Sequence, residues 1–120
     1  MNKAFLTGNL TKDPELRQTQ NGVNCCTFTI ACNRTYKNAD GKHDADFLNI
    51  VTWRGLADTC SQYLRKGRKV AITGMIQTRS YEDKDGKRRT VTEIVADDVE
   101  FLTRDNNDSR DQFADEWGTL

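Results

Sequence analysis

One stretch constrains this chain more than any other. Asp46-Phe47-Leu48-Asn49-Ile50-Val51-Thr52-Trp53-Arg54 is apolar on both of the faces that a strand would give it. Side chains alternate along a strand, so Leu48 and Ile50 point one way and Phe47, Val51 and Trp53 the other. A chain of 120 residues has one interior to fill. The second face carries two large rings. It therefore needs a partner, either another subunit or a ligand with flat apolar rings.

The rest of the chain reads as further strands around that one. Lys3 to Leu10 is the first, with Gly8 where a barrel strand bends sharply. Thr11-Lys12-Asp13-Pro14 and Asn21-Gly22 are turns. From Asn24 to Tyr36 the pattern alternates: Cys26, Phe28, Ile30 and Cys32 on one face, Thr27, Thr29, Ala31 and Asn33 on the other. Asn38-Ala39-Asp40-Gly41 makes a hairpin loop before the doubly apolar strand. Leu56, Cys60, Tyr63 and Leu64 have the spacing of one short amphipathic helix, with Asp58 in its first turn, Arg65 and Lys66 in its last, and Gly67 as C-cap. Strands from Lys69 to Tyr81 and from Thr90 to Leu102 follow, joined by a basic hairpin with Asp85-Gly86 at its tip. No internal repeat is evident. The order predicts an all-β OB-fold: a five-stranded antiparallel Greek-key barrel with one short helix between its third and fourth strands. A β-sandwich with a helical crossover is the alternative.

Formal net charge is +0, but its distribution is uneven. Asp105, Asp108, Asp111, Asp115 and Glu116 oppose Arg110 alone in residues 105–120, which leaves the body basic. Two parts are expected: a folded domain over 1–104 and a short acidic, disordered tail over 105–120. A basic body with an acidic tail suits a polyanion binder, although a merely solubilising tail would look the same. Phe113 and Trp117, set among Asp115 and Glu116, could anchor a partner-docking segment. The N-terminus has no long apolar run and no cleavage pattern, so a cytoplasmic location is expected.

Rings and cations interleave along the strands. Tyr36, Phe47, Trp53 and Tyr81 sit at strand ends or on the second apolar face, while Phe5, Phe28 and Phe101 alternate with their neighbours as core residues do. Arg34 and Lys37 bracket Tyr36, Arg54 follows Trp53, and Arg79 precedes Tyr81 by two. Lys84, Lys87, Arg88 and Arg89 line the basic hairpin, where Glu82, Asp83 and Asp85 supply counter-charge. Stacking on exposed rings contributes roughly 1–3 kcal/mol per base whatever the sequence, and cations beside the rings meet phosphates. Single-stranded nucleic acid is the ligand this pattern fits. For Phe47 and Trp53 an oligomer interface explains the same pattern.

Catalytic signals are poor. His43 is the only histidine, and no phosphate-cradling glycine loop occurs. Asp44 with Asp46, and Asp97 with Asp98, could imitate two-metal carboxylates, but surface acids at strand edges are the simpler reading. Cys25, Cys26, Cys32 and Cys60 form no CxxC pair and are expected as small hydrophobes. No enzyme activity, metal or cofactor is expected.

The motifs taken in order resemble the bacterial and phage single-stranded DNA-binding protein family of the homotetrameric type. They are Leu6-Thr7-Gly8-Asn9-Leu10, Asp13-Pro14-Glu15-Leu16-Arg17, Asn21-Gly22, Phe28-Thr29-Ile30-Ala31, Asp46-Phe47 to Trp53-Arg54, Tyr63-Leu64-Arg65-Lys66-Gly67, and Gln77-Thr78-Arg79-Ser80-Tyr81. The resemblance runs from about Asn2 to Leu102. It implies the OB barrel, a homotetramer, and sequence-independent coating of DNA in replication, recombination and repair. It implies base stacking on Tyr36, Phe47, Trp53 and Tyr81. It also implies phosphate contacts from Lys3, Arg34, Arg54, Arg65, Lys66, Arg79 and the hairpin cations. The end departs from the family pattern: Trp117-Gly118-Thr119-Leu120 stands where the family closes on an acidic Pro-Phe tip after a long linker.

Overall fold

The computed structural model of the protein describes residues 1–103. The expected tail, with Phe113, Asp115, Glu116 and Trp117, lies outside the described residues, as does the boundary expected at 104.

Six strands and one helix follow in chain order: β1 (Ala4–Leu10), β2 (Glu15–Gln18), β3 (Asn24–Lys37), β4 (His43–Trp53), α1 (Arg54–Tyr63), β5 (Lys69–Glu82) and β6 (Arg88–Phe101). The sheet runs β1-β5-β6-β4-β3-β2, and β1 also pairs with β3. That second pairing, through Asn9↔Ala31 and Leu10↔Ile30, closes five strands into a barrel and leaves β2 appended to β3. This is the OB-fold. β4 and β6 meet in parallel at Ile50↔Ile94 and Val51↔Val95, whereas every other ladder is antiparallel. The parallel contact departs from the wholly antiparallel expectation. It arises because α1 carries the chain across one end of the barrel before β5 and β6 return.

Gly8 sits where β1 passes from β5 to β3. A Cβ there would lie 2.6 Å from the Ala31 carbonyl oxygen, so only glycine permits this approach.

The core is the set that alternation selects. Leu10 comes from β1, Cys26, Phe28 and Ile30 from β3, Ile50 from β4, Val70 and Ile72 from β5, and Ile94, Ala96 and Val99 from β6. Ala57 and Cys60 of α1, with Leu64 beyond it, close one end. Phe28 is buried as expected, but Phe5 is 75% exposed. Leu6, Gly8 and Leu10 hold the inward parity of β1, and Phe5 takes the outward one. Phe101, also expected in the core, shares the parity of Val99 but lies at the end of β6 and is 37% exposed, and its ring meets that of Tyr63 at 6.2 Å.

Three local expectations need correction. β2 is an additional strand that the expected order of five does not contain: its four residues are all exposed and show no apolar alternation, and backbone pairing to β3 alone makes it a strand. The helix stops at Tyr63, with Leu64 extended, so Arg65, Lys66 and Gly67 lie past its end and Asp58 past its first turn. The amides of Lys66 and Gly67 go instead to Asp13 Oδ1 and the Leu10 carbonyl, partners from a distant part of the chain. The chain also holds an internal repeat, described below. No helix among the described residues is long and apolar enough to cross a membrane.

Candidate nucleic-acid interface

The second face of β4 is real and open. In the β3–β4 ladder Trp53 faces Cys25, Val51 faces Thr27, Asn49 faces Thr29 and Phe47 faces Ala31. Ile50 and Leu48 turn the other way, onto Phe28 and Ile30. Val51 is buried by its neighbours, whereas Phe47 is 66% and Trp53 41% exposed. The outer face is thus a polar and apolar floor with a large ring toward each end.

Two walls rise from that floor. One is β2 with the turn before it, bringing Lys12, Asp13, Glu15 and Arg17; the other is the β5–β6 hairpin, bringing Arg79, Val91 and Glu93. Between them lies an open groove of about 520 Å³, floored by Thr27, Thr29, Asn49 and Val51. Thr29 Oγ1 donates to Asn49 Oδ1 at 3.1 Å, which orients the amide in the floor. The open form and mixed polarity suit an extended polymer with flat bases and charged links.

Tyr81 continues the row of Arg79 on the β5–β6 wall and is 48% exposed. Tyr36, 62% exposed, belongs elsewhere. Asp46 faces Cys32 on the core-side face of the β3–β4 ribbon, and Arg34 and Tyr36 are bonded to one another on the side of Asp46. Phe47 and Tyr36 therefore leave the ribbon on opposite faces. The structure sets Phe47 and Trp53 on the strand face that floors the groove, Tyr81 in a second hollow with Ser80, Glu82 and Arg88 farther along the β5–β6 wall, and Tyr36 on the other projecting hairpin.

The expected cations divide into two groups. Lys3 pairs with Asp97 at 3.1 Å, Arg34 with Asp46, Arg79 with Glu93 and Arg89 with Asp83. Arg65 folds back on the end of α1, donating to the Ser61 and Leu64 carbonyls at 3.1 and 2.6 Å. By contrast, Lys37, Arg54, Lys66, Lys84, Lys87 and Arg88 make no side-chain hydrogen bond or ion pair among the described residues, and all are exposed. Hydrogen bonds from Arg34 hold the Asp46 carboxyl below its usual range, and Arg89 with the Lys87 and Asp85 amides does the same to Asp83.

The acid pairs do not converge on a common point. Asp46 holds Arg34, Asp44 accepts from Asn38 Nδ2, Asp97 holds Lys3, and Asp98 accepts from the Val99 amide. Burial pushes the Cys26 thiol up to about 11 and the Cys60 thiol up to about 12, as suits small core residues.

Several groove residues escaped the sequence reading. Thr27, Thr29 and Asn49 were visible only as the polar side of an alternating pattern. Arg17 lies on β2, which has no apolar signal, and Lys12 in the turn before it. Glu93 carried no signal, because its burial depends on the fold of the distant hairpin.

Comparison with known proteins identifies the family. The family model described as "Single-strand binding protein family" matches residues 1–102. A "Single-stranded DNA-binding protein 2" of Staphylococcus aureus (strain COL) is 51% identical over 110 residues, 92% of this chain and 79% of that protein. A "Single-stranded DNA-binding protein 1" of Staphylococcus aureus (strain MSSA476) is 48% identical over 112 residues, 93% of this chain and 72% of that protein. A "Single-stranded DNA-binding protein 2" of Listeria monocytogenes is 51% identical over 107 residues, 89% of this chain and 67% of that protein. These names denote binding, not catalysis. With an OB barrel, an open ring-bearing groove and a family match over nearly all the described residues, the chain belongs to the single-strand binding protein family.

Proposed function

We propose that this protein binds single-stranded DNA without regard to sequence and coats it during replication, recombination and repair. It performs no catalytic step. The observation that carries the reading is the set of exposed rings, Phe47 and Trp53 on the floor strand of the groove and Tyr36 and Tyr81 on the two hairpins, in a chain of this family. Bases stack on the rings, and the cations neutralise phosphates. The open cations, Lys37, Arg54, Lys66, Lys84, Lys87 and Arg88, are the readiest for this; Lys3, Arg65 and Arg89 must first leave a partner. Four subunits, by the family resemblance, would present four such grooves to one wrapped strand. Exposed Phe5, Met75 and Ile76 supply apolar surface for subunit contacts. The acidic tail, with Phe113, Asp115, Glu116 and Trp117, would dock replication or repair proteins.

Titration with oligo-dT of increasing length, read by native mass and by fluorescence, tests this. Binding without sequence preference is expected, with Trp53→Ala or Tyr81→Ala each costing about 1–3 kcal/mol. Wild-type affinity in both variants would remove the stacking assignment. No binding to any single strand would overturn the function, leaving an OB-fold that docks only protein.

A further inference from the structure

The two long hairpins are built on one nine-residue pattern. Arg34-Thr35-Tyr36-Lys37-Asn38-Ala39-Asp40-Gly41-Lys42 closes β3–β4, and Arg79-Ser80-Tyr81-Glu82-Asp83-Lys84-Asp85-Gly86-Lys87 closes β5–β6. The arginine, tyrosine, aspartate, glycine and lysine recur in register, while Thr/Ser and Asn/Asp keep the side-chain oxygen.

The two copies share their tip geometry and the placing of arginine on tyrosine, although β3 shifts register between Asn33 and Lys37 where the matching part of β5 pairs regularly, and Arg34 alone also donates to its tyrosine hydroxyl. Asn38 Oδ1 accepts from the Asp40 and Lys42 amides at 2.9 and 3.0 Å; Asp83 Oδ1 accepts from the Asp85 and Lys87 amides at 3.0 and 2.9 Å. The tip glycines both take left-handed φ, 77° at Gly41 and 78° at Gly86. In each copy the arginine Cζ lies 5.9 Å from the centroid of the tyrosine ring two residues on. In each copy a carboxylate of the returning strand holds that arginine. Asp46 takes Arg34 Nε at 3.1 Å and Nη2 at 2.9 Å, and Glu93 takes Arg79 Nε at 3.1 Å.

A guanidinium beside a phenol ring covers part of one face and leaves the other for a base. Its planar fork, gripped by a carboxylate, has few orientations, so the ring it backs has few as well. A ring restrained beforehand loses less freedom when a base stacks on it. Releasing the arginine to a phosphate would be unfavourable on the β5–β6 hairpin above all. Glu93 is only 8% exposed, and parting it from Arg79 leaves a shielded carboxylate without its cation. We infer that Arg34 and Arg79 are positioning residues for the stacking rings of Tyr36 and Tyr81, anchored by Asp46 and Glu93, and are not phosphate ligands. This rests on the binding function proposed above and revises two of its expected phosphate contacts.

The test is oligo-dT binding over a salt series, with circular dichroism to confirm folding. Arg34→Gln should weaken binding about two- to fivefold, the range of a cation beside a ring. The slope of log affinity against log salt should stay at its wild-type value. Adding Arg34→Gln to Tyr36→Leu should cost nothing further, because the arginine acts through the ring. Asp46→Asn should also weaken binding. On the other hairpin Arg79→Gln is paired with Glu93→Gln, so that no buried carboxylate is left alone, and the combination is set against Tyr81→Leu in the same way. The inference is overturned if the slope becomes shallower by about 0.7 per arginine removed, as loss of a phosphate contact requires. It is also overturned by additive losses, by tighter binding in Asp46→Asn, or by tyrosine variants that bind as wild type. Failure of the wild-type protein to bind oligo-dT would instead refute the proposed function.

Discussion

Thr52 Oγ1 donates to the Cys26 carbonyl at 2.8 Å, and the two residues face each other across β3–β4 with no exposure to solvent. Thr52 is a fully shielded polar side chain, and this bond satisfies it. It also pins the last residues of β4, just before Trp53 turns out to the groove and α1 begins. Thr52→Val keeps the shape and removes the hydroxyl, so stability should fall by about 1 kcal/mol. A urea midpoint equal to that of wild type would show that the bond adds nothing.

Gly8→Ala should be more damaging. The new methyl would meet the Ala31 carbonyl oxygen at 2.6 Å and Cys32 Sγ at 3.1 Å, and the backbone oxygen cannot swing away. Opening the β1–β3 closure should cost about 1–3 kcal/mol, read by denaturant unfolding.

Arg54 is the only non-glycine among the described residues with positive φ, at 59°. It follows Trp53 at the entry to α1, where its side chain is exposed. A left-handed conformation is unfavourable for an L-residue by about 1–2 kcal/mol, which a glycine escapes. Arg54→Gly should therefore raise the melting temperature while weakening oligo-dT binding, and the salt slope should fall by about 0.7. Loss of both stability and affinity would contradict this trade.

Asp83 should govern the acid behaviour of the β5–β6 tip. Arg89 and the Lys87 and Asp85 amides favour its charged form, so its carboxyl titrates below the ordinary value of 3.8. A carboxyl with a lowered folded pKa lends stability above its unfolded pKa, and that stability is lost as pH falls through the folded one. The amide resonances of Asp85 and Lys87 should move with a midpoint below 3.8. Asp83→Asn should abolish this titration yet keep the tip closed, because Asn38 closes the other hairpin with an amide oxygen. A midpoint at or above 3.8 would be inconsistent with the pairing.

The buried thiols should contribute to the alkaline behaviour. Burial raises Cys60 from 9.0 to about 12 and Cys26 to about 11. Groups with raised folded values lend stability below the unfolded pKa and lose it as pH climbs toward the folded one. Thermal stability should thus decline from about pH 9 upward, and Cys60→Ala should flatten that decline relative to its own value at pH 7. Equal slopes in the two proteins would show that ionisation of Cys60 does not contribute.

Local patterning already determined much of this protein. Period-two alternation in Cys26, Phe28 and Ile30, and the doubly apolar run from Phe47 to Trp53, specify long strands and one face too many for a small core. The rings on that face are legible because a strand's side chains must go to one side or the other, and those beside the Asp-Gly tips because they border hairpin loops and lead into charged segments. Tertiary structure alone decided the rest. β2 has no apolar signal and exists through its ladder to β3. Phe5 turned outward because Leu10 claims the inward parity of β1. Helix α1 stopped early because amides beyond it bond to Asp13 and Leu10. Which cations remain open depends on carboxylates brought from across a hairpin or a barrel, and separation along the chain says nothing about such distances. Spacing within one strand is encoded by backbone geometry; the meeting of Arg79 with Glu93, or of Gly8 with Ala31, comes into being only when the barrel closes.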